Sequence, residues 1–257
     1  MKYKTKLLVE RFKEILSSWN GVECITLNEA ALADTLDPYF ALILDVFCTS
    51  SIPDADNRCQ LYGDDIAAFE SAGEKDRFLI GDVPVRLEFK KTAKIDELVN
   101  IACTKHESLW LIKDSGTYGF YRLANCDIIF SRSSWIHDVR KRLKNIGDNF
   151  WKEMRYTVQF KMEHFLSDLG AACFQGDKFH YLIASAGFIK TACLTLFCIN
   201  KHFEPSHRAY FKQVCELPVL PESFIAEFQT FLANSDAVDL DSRFYLAKLI
   251  AQKIVML

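Results

Sequence analysis

Asp45 and Glu88 are the two acids of this chain whose surroundings point to chemistry. Asp45 lies near the end of the run Tyr39-Phe-Ala-Leu-Ile-Leu-Asp-Val-Phe-Cys48, which is apolar and rich in aromatic and β-branched residues. A run of this kind between turn signals reads as a buried strand. An ionised carboxylate inside such a strand is costly unless something pairs with it. Either a cation sits beside Asp45, which suggests metal chemistry, or the strand end opens to water. Glu88 falls in a second strand, where Val85, Leu87 and Phe89 face one way and Arg86, Glu88 and Lys90 the other. Two acids on neighbouring strands can share a divalent cation, with Mg2+ the expected one, when their faces agree. The alternative for Glu88 is a surface pair with Arg86 or Lys90. Two-metal nucleotidyl transfer usually needs about three carboxylates. The third is missing here, because Ile43 stands two residues before Asp45 where a paired acid would belong.

A second constellation runs from Phe188 to Arg208 and holds Lys190, Asn200, Lys201, His202, His207 and Arg208. Cations near a helix end suit a phosphate or carboxylate substrate. For Lys201 and His202, complementing the helix dipole is the simpler role. Lys190, in the middle of an apolar helix, calls for a function or a specific acidic partner. The six histidines show no metal spacing.

The elements that must position these residues change character along the chain. A helical stripe of Leu7, Leu8, Phe12, Ile15, Leu16 and Trp19 is stopped by Asn20-Gly21. Val22–Leu27 reads as a short strand, and Asn28 can cap a helical stretch over Glu29–Leu36. Residues 49–63 read as loop with a helical turn, and Asp64–Ala72 as a helix. A hairpin pairs Phe78–Ile80 with Val83–Lys90 through Gly81-Asp82. Lys94–Cys103 reads as a helix, while Leu109–Ile112, Tyr118–Leu123 and Asp127–Ser131 read as strands. From Trp135 onward apolar residues recur at helical spacing, with a break at Gly147. The expectation is an α+β chain, with a mixed α/β domain over 1–132 and a helical bundle over 133–257. Tyr181–Ile199 approaches a membrane span in length. Lys190 at its middle, scattered Ser185, Gly187, Thr191 and Thr195, and amphipathic flanks make it the central helix of the bundle instead.

Composition narrows the classes. The chain has 257 residues, half of them hydrophobic, which suffices for one large domain or two modest ones. A net charge of -3 gives no general attraction to nucleic acid or an anionic membrane, and neither partner is expected. Nine cysteines without a Cys-x-x-Cys, several inside apolar runs, fit buried thiols in a reducing compartment. The basic N-terminus leads into an amphipathic helix with Glu10, Lys13 and Glu14 and lacks the uncharged stretch of a signal peptide. A cytoplasmic protein is expected.

Four stretches in order resemble the nucleotidyltransferase fold of the DNA polymerase β superfamily, in the antibiotic-type branch with a helical substrate-binding domain. Asp37-Pro38-Tyr39-Phe40 with Leu42–Phe47 resembles the strand that carries that family's Asp-x-Asp. Ile80–Phe89 resembles the hairpin that brings the third acid, and Trp110–Gly116 the strand and turn that close the domain. Leu196–Asn200 with Phe203, Pro205 and Arg208 resembles the helix-to-helix passage of the helical domain. The resemblance implies that Asn28 and Glu29 stand where a Gly-Ser would hold a triphosphate. It assigns Asp45 and Glu88 to the catalytic and metal site, and Lys190, Asn200 and Arg208 to the substrate. It also shows departures. The first acid of Asp-x-Asp falls on Ile43, and the third on Arg86, two residues before Glu88.

The implied function is a nucleotidyltransferase-like protein with impaired catalysis that binds a nucleotide or partner between its domains. One alternative is an active Mg2+-dependent enzyme moving a nucleotidyl group from a nucleoside triphosphate to a small-molecule or protein acceptor. The other is a non-enzymatic interaction module. Asp45→Asn is expected to leave the fold intact, and a large loss of stability would mean an ion pair, with Arg86 the expected partner.

Overall fold

The computed structural model describes residues 3–28, 41–233 and 239–257. The expected helix over Glu29–Leu36 and the Asp37–Phe40 part of the first motif lie outside these. The chain forms two compact units, Met1–Lys105 with Gly119–Ile146, and His106–Tyr118 with Gly147–Leu257.

The first unit is built on one sheet. Strands β1 (Val22–Leu27), β2 (Leu42–Cys48), β3 (Ile66–Ala72), β4 (Lys75–Ile80), β5 (Val83–Lys91) and β6 (Asp127–Ser131) lie in the order β3-β4-β5-β2-β1-β6. The β2–β5 pair is parallel and the others are antiparallel. Every residue of β1 is buried and β2 is buried almost throughout, as expected of apolar central strands. Helix α1 (Tyr3–Ser17) lays Leu8, Phe12 and Leu16 into an aromatic core with Trp19, Tyr62 and Phe78. Leu7, expected on that stripe, faces solvent.

Four local readings are corrected. Residues expected as the helix Asp64–Ala72 form β3, which hydrogen-bonds to β4. Ala67 and Ala68 are strong helix formers, but sheet pairing overrides that weak bias. A bulge with Ala68 at φ 53° accommodates them. Leu109–Ile112, expected as a strand, enters helix α4 (Trp110–Ser115), and Tyr118–Leu123 becomes helix α5 (Tyr118–Asn125). The expected loop of 49–63 contains helix α2 (Ala55–Tyr62), capped by the Asp54 side chain.

Helix α3 (Thr92–Thr104) follows β5, and α6 (Trp135–Lys144) packs on it. The expected boundary at 132/133 therefore falls inside the first unit. Ile136, Val139 and Leu143 are buried, and Arg142 binds Asp96 of α3 at 2.8 Å, so α6 stays with the sheet.

The second unit is helical. Helices α7 (Asp148–Gln175) and α8 (Lys178–Ile199) form a hairpin across Gly176-Asp177. Helices α9 (Tyr210–Cys215), α10 (Phe224–Leu232) and α11 (Leu240–Val255) complete a core around Phe188, Phe197, Phe224 and Phe228. Gly187 is required by packing: a Cβ there would meet Phe165 ring carbons at 2.4 Å. Among the described residues α8 alone has the length and composition to cross a membrane, and half of its most apolar window is buried within this unit. The described fold is thus α+β, a mixed sheet with helices followed by a mostly helical region.

Candidate functional site

The parallel register of β2 and β5 sets Asp45 directly beside Glu88, on the same face of the sheet. Asp45 is 1% exposed, and the Glu88 side chain is 20% exposed. A cation does sit beside Asp45, and it belongs to the protein. Arg122 on α5 donates from one terminal nitrogen to Asp45 Oδ1 and from the other to Glu88 Oε2 at 3.0 Å. Lys90, two residues after Glu88 on the same strand face, donates to Asp45 Oδ1 at 2.7 Å and lies 3.5 Å from Glu88 Oε2. Two carboxylates thus meet two cations in a nearly dry place. Arg140 of α6 fixes the far end of α5 by donating to the carbonyls of Leu123 and Cys126, which holds Arg122 in position.

Burial alone would push the Glu88 carboxyl up, but Arg122, Lys90 and Lys75 outweigh it and hold it below the usual glutamate range. A depressed acid contributes stability above its unfolded pKa and loses it as pH falls through the folded one. Glu88→Gln is therefore expected to flatten the acid limb of a melting-temperature profile below about pH 4.3. An acid limb identical to that of the native chain would contradict this role for Arg122 and Lys90.

Arg86 does not pair with Asp45. It is exposed on β5 opposite Arg77, and Asp45 takes Lys90 and Arg122 instead. Asn28 is buried at the end of β1, where its backbone N–H donates to the Ile43 carbonyl at 2.9 Å. Glu29 lies outside the described residues. Asn200 caps α8: its side-chain amide bridges the Leu196 and Val219 carbonyls and accepts from the Val219 N–H. Those three bonds engage it in holding the 219 loop.

Lys190 and Arg208 do come together. Both line a cavity of about 920 Å³ within the helical unit, along with Lys161, Lys113 and the segment 115–118. Its wall is firmly tied. The Glu204 N–H donates to Thr117 Oγ1 at 2.8 Å, and Tyr210 donates to the Glu204 carboxylate. His207 Nε2 stands 3.4 Å from the same carboxylate. Gly116, at φ 75°, is where a Cβ would meet Glu204 Oε2 at 2.7 Å, so the turn passes this acid without room for a side chain. Burial first, then Glu204, pushes the Tyr210 phenol up and keeps it protonated.

No family model matches the sequence. No curated protein matches it either. Among solved structures, the chain is similar to a nucleotidyltransferase-like protein from Exiguobacterium sibiricum, at 11% identity and a TM-score of 0.50. The match covers 98% of this chain and 74% of that one. The likeness is one of fold. It makes the nucleotidyltransferase-like architecture a finding and leaves the chemistry to the residues.

Those residues do not suit a two-metal centre. A divalent ion at Asp45 and Glu88 would have to displace a guanidinium and an ammonium, and two carboxylates would then hold it. Among the described residues, no group of three or more Asp, Glu, His or Cys is placed to bind a metal. Arg122 is the site residue that sequence reasoning missed, because 118–123 read as a strand. The signal was present: Tyr118, Tyr121, Arg122 and Asn125 recur at helical spacing directly after the Gly116 turn.

Proposed function

We propose that this chain is a nucleotidyltransferase-like protein that binds a nucleotide without transferring it. The occupation of Asp45 and Glu88 by Lys90 and Arg122 carries the reading. Two side-chain cations supply the charge of one divalent ion, so the acids have little left with which to recruit magnesium. In-line transfer by two metals needs carboxylates that hold both ions near the attacking and leaving oxygens. With Ile43 and Arg86 at the other two acid positions, the described residues offer no such set, and no step through Mg2+ follows. Asp45 and Glu88 instead tie α5 to β2 and β5. Nucleotide recognition falls to cationic side chains, with Lys190 and Arg208 the first candidates. The free cysteines suit a reducing compartment, and the cytoplasm is the proposed location.

One observation favours the alternative of an active Mg2+-dependent transferase with a nucleoside triphosphate and a small-molecule or protein acceptor. Asp45 Oδ2 is buried with no hydrogen-bond partner among the described residues, and a bare carboxylate oxygen is a metal-ligand type.

Thermal shift with ATP, with and without Mg2+, and transfer of labelled nucleotide test the choice. ATP is expected to raise the melting temperature equally in both conditions, with no labelled product. Mg2+-dependent transfer that Asp45→Asn abolishes would establish the active enzyme. No response to ATP in either condition would leave the protein-interaction module.

A further inference from the structure

We propose that the cavity in the helical unit binds a phosphate monoester carrying an apolar or aromatic body. This deepens the nucleotide-binding reading and rests on it for the nucleoside body alone. The demand for phosphate comes from the cavity.

The charge on its wall is the first argument. Helices α7 and α8 run antiparallel, with Phe165 seated on Gly187. Lys161 lies one turn before Phe165, and Lys190 about one turn after Gly187. The two lysines therefore leave adjacent helices at one level, and both line the cavity. Neither has an ion-pair partner among the described residues. Glu204, which also lines the cavity, accepts from Tyr210 and faces His207; on α7, Glu153 pairs with Lys113, Asp168 faces His164 and Glu163 accepts from Gln159. Two like charges at one level, neither paired with an acid, are mutually unfavourable until an anion joins them. A dianionic phosphate answers both, whereas a carboxylate answers one. Arg208 also lines the cavity and adds another cation to it.

Shape is the second argument. Met154, Val158, Phe165 and Leu194 also line the cavity and offer carbon surface and no side-chain hydrogen bonds. At about 920 Å³ the cavity is larger than a lone phosphate needs and falls within the range for small-molecule sites. Hydroxyls of Ser115 and Ser206 border it. An anionic head on the lysines with an apolar body against α7 and α8 uses the whole space.

Isothermal titration calorimetry of the full chain in metal-free buffer tests this, with AMP, adenosine, inorganic phosphate and sodium decanoate as probes. AMP is expected to bind, and adenosine and phosphate to bind at least about tenfold more weakly. Lys161→Gln and Lys190→Gln are each expected to weaken AMP by about tenfold, and the pair by about a hundredfold. Both positions are exposed, so the melting temperature should stay unchanged. Undiminished AMP binding by the double variant overturns the assignment, as does decanoate binding where AMP does not. The two readings fail separately. Mg2+-dependent transfer would refute the proposed function while leaving the lysine effect standing. Nucleotide binding indifferent to both lysines would refute this site while leaving Mg2+-independent binding intact.

Discussion

Asp76→Ala is expected to lower the unfolding free energy by about 3–5 kcal/mol, the usual loss when one partner of a buried ion pair is removed. Asp76 on β4 is 0% exposed, and both of its oxygens are used. Arg58 of α2 grips it in two parallel bonds of 2.7 Å, and the Tyr62 hydroxyl donates to it at 2.6 Å. Arg58 itself is buried, with its remaining donors on the Pro53 carbonyl and Ser71 Oγ and its guanidinium over the Phe89 ring. Alanine would leave that guanidinium uncompensated in the interior and would strand the Tyr62 phenol. The loss is read as a shift of the urea midpoint. Arg58→Met with Asp76→Leu and Tyr62→Phe is expected to recover most of it, because an apolar cluster of similar volume leaves no charge or hydroxyl buried without a partner. A single-variant loss below about 1 kcal/mol, the level of a surface pair, would contradict this account.

Arg122→Ala is expected to cost about 2–4 kcal/mol at neutral pH, less than a fully buried pair because Lys90 remains on both acids. The sign of its pH dependence follows from Glu88. Arg122 helps hold that carboxyl below its ordinary range, so its contribution is present at neutral pH and fades on acidification. The gap between native and variant proteins should therefore be widest near pH 7 and narrow below about pH 4.3. Without the guanidinium, two neighbouring carboxylates face one lysine, and Mn2+ should restore part of the lost stability in the variant. Equal stability of the two proteins at pH 7 would show that Arg122 is incidental to the acid pair.

The sequence reveals the frame of this site better than its partners. Alternation in Val85, Leu87 and Phe89 against Arg86, Glu88 and Lys90 fixes which face of β5 carries charge, and the register bears it out. The apolar run ending in Asp45-Val46-Phe47-Cys48 gives a buried central strand. The cation on Asp45 comes from 77 residues away, and no local pattern specifies such a pairing. A short aromatic stretch at 118–123 is equally readable as strand or helix, which hid Arg122. Arg86 drew attention by standing at a family acid position, yet its side chain ends in solvent. In the helical half, Lys190 was legible as a charge within an apolar helix. Lys161 was not, because it is an ordinary polar position on α7 until the α8 hairpin brings the two together.

The account stands on Lys90 and Arg122 occupying the place of a metal. A Mn2+ titration of the native protein, followed by electron paramagnetic resonance, measures this directly. The predicted result is free Mn2+ throughout, with no stoichiometric binding. Capture of one or two Mn2+ ions per chain, abolished by Asp45→Asn, would contradict it.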